Sequence, residues 1–565
     1  MSWNRILPDI GVFEDFPVII EYPVLGGPER VDFIVVGRGR GLVIEAKAWS
    51  SNIERNGFFV WLGNELRIDP CYQLENYLAK FRYLHSASTS MEFDGCVYFS
   101  GGQYRDSCRV IAERTDLEHF VEWLKKPGSE NDVKTIIEGK YRISQDLVNF
   151  VTRNKARLMR DAIRTLLVGG YGPTEDQLKI IGSVLDALEN GEDKAFFVRG
   201  VSGSGKTLVA ITLFFEALSK GYRVLLTYRN NRLLNTLRTA LEEELSGLIR
   251  FYSMGPQGGF RGVAENNFPV DKYGQLDLVI YDEAQRMTME NIRISLSRSK
   301  VKVYFYDDEQ ILIGDEAGTR ENFIRVAQQL GKKYSEYELS VPRRIPPSYL
   351  KAVRDLLKGL QFDPSGIEFR VFDCIREMLD SLREKHMKGK RVALVCTFTE
   401  TPGNKKNRRA PDNLRIGYPL CKKYRTERRR CVEYSDLDIY KGLGLEIYWL
   451  MDEKTEYPKY WMRELDPLKY CASVYGAQGF EAEYVGVVWG RDLIWREDGW
   501  VVNPEVITDN VGGPRSLAHI ARRDPERALQ LLKNRYLILL TRGTKGVYIY
   551  FEDKKTKEYV KSILG

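Results

Sequence analysis

The chain has 565 residues, 43% hydrophobic and 29% charged, with a formal net charge of +7. That length suits roughly three or four packed domains, and no uncharged apolar run of about 18 residues is present, so no membrane span is expected. Eight scattered cysteines without a Cys-x-x-Cys pair and only four histidines argue against a zinc or iron–sulfur centre. Free thiols and a cytoplasmic location are expected instead, since Met1-Ser-Trp-Asn-Arg leads to Pro8 and acidic residues, not to an apolar signal core.

In chain order, residues 1–143 read as a mixed α/β domain. Arg30-Val-Asp32-Phe-Ile-Val-Val-Gly37 and Leu42-Val-Ile-Glu45-Ala-Lys47 are two strands around a Gly37-Arg-Gly-Arg-Gly41 turn. That hairpin brings Asp32 opposite, or one step from, Glu45 and Lys47, which share a face because strand periodicity is two. Two carboxylates are hard ligands for Mg²⁺ or Mn²⁺, and a lysine beside them can position or deprotonate water. The bland reading is decorative surface charge, but the flanking runs are apolar, and a helix with Gln73-Leu-Glu-Asn-Tyr77 follows.

Residues 144–172 are a connecting helix over about 144–168, ended by Gly169-Gly-Tyr-Gly-Pro173. From 173 to 340, near-continuous apolar strands are expected at Ala195–Arg199, Arg223–Thr227, Leu276–Tyr281 and Lys302–Tyr306. A second series in 341–565 comprises Arg391–Cys396, Tyr484–Val488, Tyr536–Leu540 and Gly546–Tyr550. Such runs belong to parallel sheets covered on both faces, here two in tandem.

Gly200-Val-Ser-Gly203-Ser-Gly205-Lys206-Thr207 follows the first of these strands and precedes a helical run. Its amides and the helix N-terminus suit phosphates, with Lys206 on the β/γ-phosphates and Thr207 on Mg²⁺. Asp282-Glu283 ends another strand: Asp282 suits the metal, and Glu283 suits the attacking water. An insertion near 402–431 carries Lys405, Lys406, Arg408, Arg409, Arg415, Lys422, Lys423, Arg425, Arg428, Arg429 and Arg430 against Asp412 and Glu427. It is either a solvated loop or a contact to a phosphate backbone.

At this point the chain resembles superfamily 1 helicases of the RecD-like and schlafen-like branch over about 174–560. The resemblance implies two RecA-like parallel-sheet domains, ATP and Mg²⁺. It implies that Gln177 reads adenine and that Thr227–Leu234 meets the nucleic-acid backbone. Gln310 would sense the γ-phosphate, Gly479 and Glu481 would belong to the nucleotide site, and Arg542 would stabilise the transferring phosphoryl group. A further arginine comes from Arg343 or Arg344, and Arg344 is the choice. Asp32, Glu45, Lys47 and Gln73-x-x-x-Tyr77 resemble the PD-(D/E)xK nucleases of the RecB-like and nuclease-related branch over about 12–100. There Asp32 and Glu45 would hold the metal (Mg²⁺ or Mn²⁺), Lys47 and Gln73 would serve the chemistry, and Glu14 or Glu21 would add an acid.

Together the resemblances imply a nuclease–helicase acting on DNA in preference to RNA, in antiviral defence or repair. A homo-oligomer or a defence-system partner protein suits such fusions, and no membrane partner is expected. A nucleic-acid-binding switch with an inactive nuclease fold, and an RNA-directed schlafen-like enzyme, are the alternatives.

Overall fold

The structure is a computed structural model that describes residues 7–24, 30–49, 53–56, 59–62, 65–99, 110–111, 114–166, 173–241, 245, 247–253, 262–397, 414–416, 445–449, 451–507 and 509–565. Two compact units are present: Met1–Leu158 with Phe214–Thr227 and Leu241–Val279, and Met159–Leu213 with Tyr228–Ala240 and Ile280–Gly565. Among the described residues no helix is long and apolar enough to cross a membrane.

In the first unit, strands β1 (Val18–Pro23), β2 (Arg30–Gly37), β3 (Arg40–Lys47), β4 (Glu92–Phe99) and β5 (Val110–Ile111) form one mixed sheet in that order. β1, β2 and β3 are antiparallel neighbours, whereas β3, β4 and β5 run parallel. β2 and β3 are covered on both faces, which explains their unbroken apolar sequence. Phe33, Val35, Leu42 and Ile44 pack with Phe13, Leu117 and Phe120. Ile34, Val36 and Val43 pack with Leu74, Tyr77 and Phe81 of helix α1 (Pro70–Leu84). α1 starts where it does because the Asp69 carboxylate accepts the amides of Cys71 and Tyr72 and Pro70 follows at the first helical position. The connecting helix α2 spans Gln145–Leu166, against the expected 144–168.

The next strands are β6 (Lys194–Gly200), β7 (Val224–Tyr228), β8 (Ile249–Phe251), β9 (Leu276–Tyr281), β10 (Ser299–Tyr306) and β11 (Lys333–Leu339), and those of the second unit stand in the order β10-β6-β11. Within the second unit β6 lies parallel to β10 and to β11. Helix α3 (Glu175–Glu189) precedes β6, and α4 (Lys206–Ser219) follows it. A further all-parallel sheet has β12 (Glu368–Phe372), β13 (Val392–Cys396), β14 (Ala472–Ser473), β15 (Ala482–Trp489) and β16 (Gly543–Phe551), in the order β12-β16-β15-β13-β14. The architecture is α/β throughout: a mixed N-terminal sheet, then RecA-like parallel sheets.

Two expectations fail. Tyr536–Leu540 is the end of helix α5 (Pro525–Leu540), not a strand. Every residue from Asn534 to Leu540 is buried there, so the helix has no polar face and its sequence loses the 3.6 period. Its start signal is legible instead, because Asp524 caps the amide of Arg527 ahead of Pro525. The cysteines also differ from expectation: Cys96, Cys374, Cys396 and Cys471 are not disulfide-bonded, but Cys71 is.

Candidate active sites

The phosphate-binding loop closes the second unit's strand–loop–helix: β6 ends at Gly200 and α4 begins at Lys206. Gly203 and Gly205 take φ of 78° and 87°, a region that side chains disfavour. A Cβ on Gly205 would stand 2.3 Å from Gln177 Nε2, and one on Gly203 3.3 Å from Arg344. Lys206 Nζ donates to the carbonyls of Gly200 at 2.6 Å and Val201 at 3.2 Å and lies 3.8 Å from Asp307. Gln310 Nε2 donates to that same Asp307 at 2.7 Å. The amide of Gln177 is committed at both ends: Nε2 donates to Ser204 O at 2.9 Å, and Oε1 accepts from Thr174 N at 3.0 Å. In this arrangement it braces the loop.

Asp282 follows β9 and is wholly buried. Burial first, then the charge of Glu283, raises its pKa, while the Thr207 hydroxyl and Lys206 oppose the shift. Its Oδ2 has no hydrogen-bond partner among the described residues. A buried carboxylate with an open oxygen beside a threonine hydroxyl fits a divalent cation. Glu283 sits in the left-handed region at φ 54°, ψ 39°, which is uncommon outside glycine. Two glutamines donate to its Oε2: Gln285, and Gln478 Nε2 at 2.9 Å.

Two arginines complete the site. Arg542 is buried, and its Nη2 donates to Ser202 Oγ at 2.8 Å, inside the phosphate loop. Nε and Nη1 donate to the carbonyls of Ile538 and Phe480 at 3.0 and 3.2 Å. Burial, then the nearby charge of Arg344, lowers its pKa. Arg344 Nε lies 3.2 Å from Glu481, and its Nη1 is buried without a hydrogen-bond partner among the described residues. Arg343 is exposed, and only its backbone meets the loop, at Gly203 O, 2.9 Å away. Of the two candidates, Arg344 therefore faces the loop. Gly479, at φ 88°, lets the chain pass Leu233, whose Cδ2 would lie 2.8 Å from a Cβ. Asn230, in the stretch expected to meet the nucleic-acid backbone, donates to Tyr475 O at 2.5 Å.

In the first unit the β2–β3 register pairs Phe33 with Ile44, so Asp32 and Glu45 face each other one step beyond. Asp32 Oδ2 accepts from Ala46 N at 2.8 Å, and Lys47 Nζ bonds Glu45 Oε1. Burial raises both carboxyls, Glu45 to about 7. Glu45 Oε2 has no hydrogen-bond partner among the described residues. Of the two candidates for a further acid, Glu21 lies beside Asp32. It falls opposite Asp32, between the pairs Ile20↔Phe33 and Tyr22↔Val31, and its charge acts on Asp32. Glu14 follows the short helix that ends at Phe13 and has no such link. Gln73 Nε2 donates to Tyr77 Oη at 2.6 Å, and Tyr77 donates to Arg30 O at 3.0 Å, tying α1 to β2. Among the described residues no group of three or more His, Cys, Asp or Glu is arranged to hold a metal. The pair Asp32–Glu45 is what this site offers a cation.

Sequence reasoning missed Ser202, Gln285 and Gln478 as site residues. Ser202 lies inside the phosphate loop, and Gln285 and Gln478 lie beside Glu283 and Gly479, but only the fold shows which side chains turn inward. The basic cluster cannot be placed, since 398–413 and 417–444 lie outside the described residues and only the backbone strand Leu414–Ile416 is described.

A model of the schlafen group 3 DNA/RNA helicase domain matches residues 193–553, and one of the nuclease-related domain matches residues 9–100. An uncharacterized protein of Saccharomyces cerevisiae is 21% identical over 410 residues, 64% of this chain and 83% of the yeast protein. Similar solved structures include Pif1 helicases at forked double-stranded DNA (13% identity, 69% of this chain and 94% of that one, TM-score 0.31). Pif1 helicase from Candida albicans (10%, 70% and 99%, 0.32) and arterivirus nonstructural protein 10 helicase with DNA (12%, 70% and 70%, 0.28) are others.

Proposed function

The chain belongs to the schlafen group 3 DNA/RNA helicase family and carries a nuclease-related domain ahead of its helicase domain, and from that premise we propose an ATP-driven nuclease–helicase that moves along nucleic acid, DNA by preference, and cuts it. One observation carries the motor reading. Arg344 and Arg542 are turned onto a glycine loop in buried surroundings, where Arg344 pairs with Glu481. Buried like charges are costly unless an anion joins them, and a nucleoside triphosphate supplies it. Lys206 then binds the β/γ-phosphates, Thr207 and Asp282 hold Mg²⁺, and Glu283 orients water. Arg542 and Arg344 bear on the γ-phosphoryl oxygens. Bound magnesium supplies neutralisation of phosphate charge. Loss of the γ-phosphoryl group removes what draws the arginines in, and repeated closure moves a strand.

For cleavage, Asp32 and Glu45 would hold Mg²⁺ or Mn²⁺, and the open Glu45 Oε2 supports this. Lys47 is placed to hold or take a proton from water, and Gln73 to brace the site. The reading extends to a cytoplasmic enzyme of antiviral defence or repair.

The test is ATPase and nuclease activity on labelled DNA and RNA. Lys206→Ala is expected to abolish ATP hydrolysis, whereas Asp32→Ala spares hydrolysis and abolishes cleavage. Undiminished metal-dependent cleavage in Asp32→Ala would sink the nuclease assignment. Tight binding without products in both metals would leave the N-terminal domain as a grip, and stronger stimulation by RNA would reassign the substrate.

A further inference from the structure

Gln478 sits in a chemically one-sided position. Its Nε2 donates to Glu283 Oε2 at 2.9 Å. The end that faces a carboxylate must be the NH₂ end, so the other end is necessarily an acceptor. That acceptor, Oε1, is buried and has no hydrogen-bond partner among the described residues, and the side chain is fully buried. Buried amide oxygens are nearly always satisfied, so an exception at a catalytic carboxylate points to an absent donor. The surroundings narrow what that donor is. Glu283 already accepts from Gln285, Arg542 is close enough to Glu283 to feel its charge, and Glu481 pairs with Arg344. A small neutral donor that also bonds Glu283 is water.

We propose that Gln478 is a catalytic residue of ATP hydrolysis, with Nε2 aligning Glu283 while Oε1 accepts a hydrogen bond from the attacking water. The inference rests on the ATPase reading above. In the step, the water oxygen bonds to the γ-phosphorus as the bond from that phosphorus to the β,γ-bridging oxygen breaks, and ADP leaves with the electron pair. One water proton passes to Glu283, and the other stays on the new phosphate. Gln478 belongs to the segment that precedes β15, whereas Glu283 follows β9. The water is therefore held only when the two segments meet, and hydrolysis is tied to that meeting.

The experiment uses the full chain with saturating nucleic acid and compares Gln478→Leu and Gln478→Glu with wild type. Gln478→Leu is expected to lower kcat by roughly 10²-fold, the scale of a lost proton-transfer or charge-positioning group. Its Kd for a non-hydrolysable ATP analogue should stay within about twofold. A protonated glutamic acid offers both a donor and an acceptor, so the Gln478→Glu to wild-type rate ratio should climb as pH falls from about 8.5 to about 6. Wild-type kcat in Gln478→Leu overturns the proposal. So does a flat Gln478→Glu ratio, or loss of analogue binding in both variants, which would mark a structural residue. A wild type with no turnover sensitive to Lys206→Ala would overturn the ATPase reading itself, and this proposal with it.

Discussion

At the scale of single residues, Glu283 holds a backbone conformation that glycine adopts freely and residues with a side chain seldom do. Such strain persists where the surroundings over-determine it, and here two glutamine amides and the Asp282 acceptor of its own N–H do so. Glu283→Gln should retain nucleotide affinity and lose at least roughly 10²-fold in kcat, read by steady-state ATPase beside equilibrium binding. His85 tests the first unit. Ala87 N donates to its Nδ1 at 3.1 Å, so its proton is on Nε2, 2.9 Å from Tyr22 Oη. Burial, then the charge of Lys272, lowers its pKa to about 4. The unfolded chain takes up this proton near the ordinary value, whereas the fold resists it. The contribution is full above about pH 6.5 and is lost as pH falls toward about 4, by up to roughly 3 kcal/mol. Urea unfolding across that window should show the loss, and His85→Phe should flatten it. Lys206, Thr207 and Asp282 were legible because their motif fixes backbone and side chain together. Gln478 and Ser202 were not, since spacing does not reveal which polar group in a short turn faces inward.

At the scale of elements, the strand–loop–helix from Lys194 to Ser219 was readable because glycines, lysine and an apolar helix follow in fixed order. Its steric demands are just as specific. Gly205→Ala places a methyl against Gln177 at a positive φ, so nucleotide affinity should fall by more than about tenfold with little change in thermal melting. A variant that binds normally would show that the loop tolerates a side chain there. Elements were misread where periodicity vanishes: α5 is buried on every side over its last two turns and mimics a strand. β11 and β12 escaped notice for the opposite reason. They are part-exposed edge strands with alternating charged residues and no apolar run.

At the scale of the molecule, the second unit is knit by buried charge. Arg535 pairs with Asp509 at 2.6 Å, and both meet the Tyr475 hydroxyl. Arg232 and Arg286 lie 5.8 and 5.1 Å from the same ring, and Arg286 pairs with Glu316 at 2.8 Å. Removing one partner of such a pair leaves a buried charge alone, so Asp509→Ala should destabilise the unit by about 3–5 kcal/mol, seen as a lower melting temperature. Arg542 crosses from the end of α5 to Ser202 of the phosphate loop, and the central claim is that this arginine works on ATP. Single-turnover hydrolysis by Arg542→Ala tests it most directly. The expected result is a rate lower by roughly 10³-fold with ATP still bound, and hydrolysis at the wild-type rate would contradict the account.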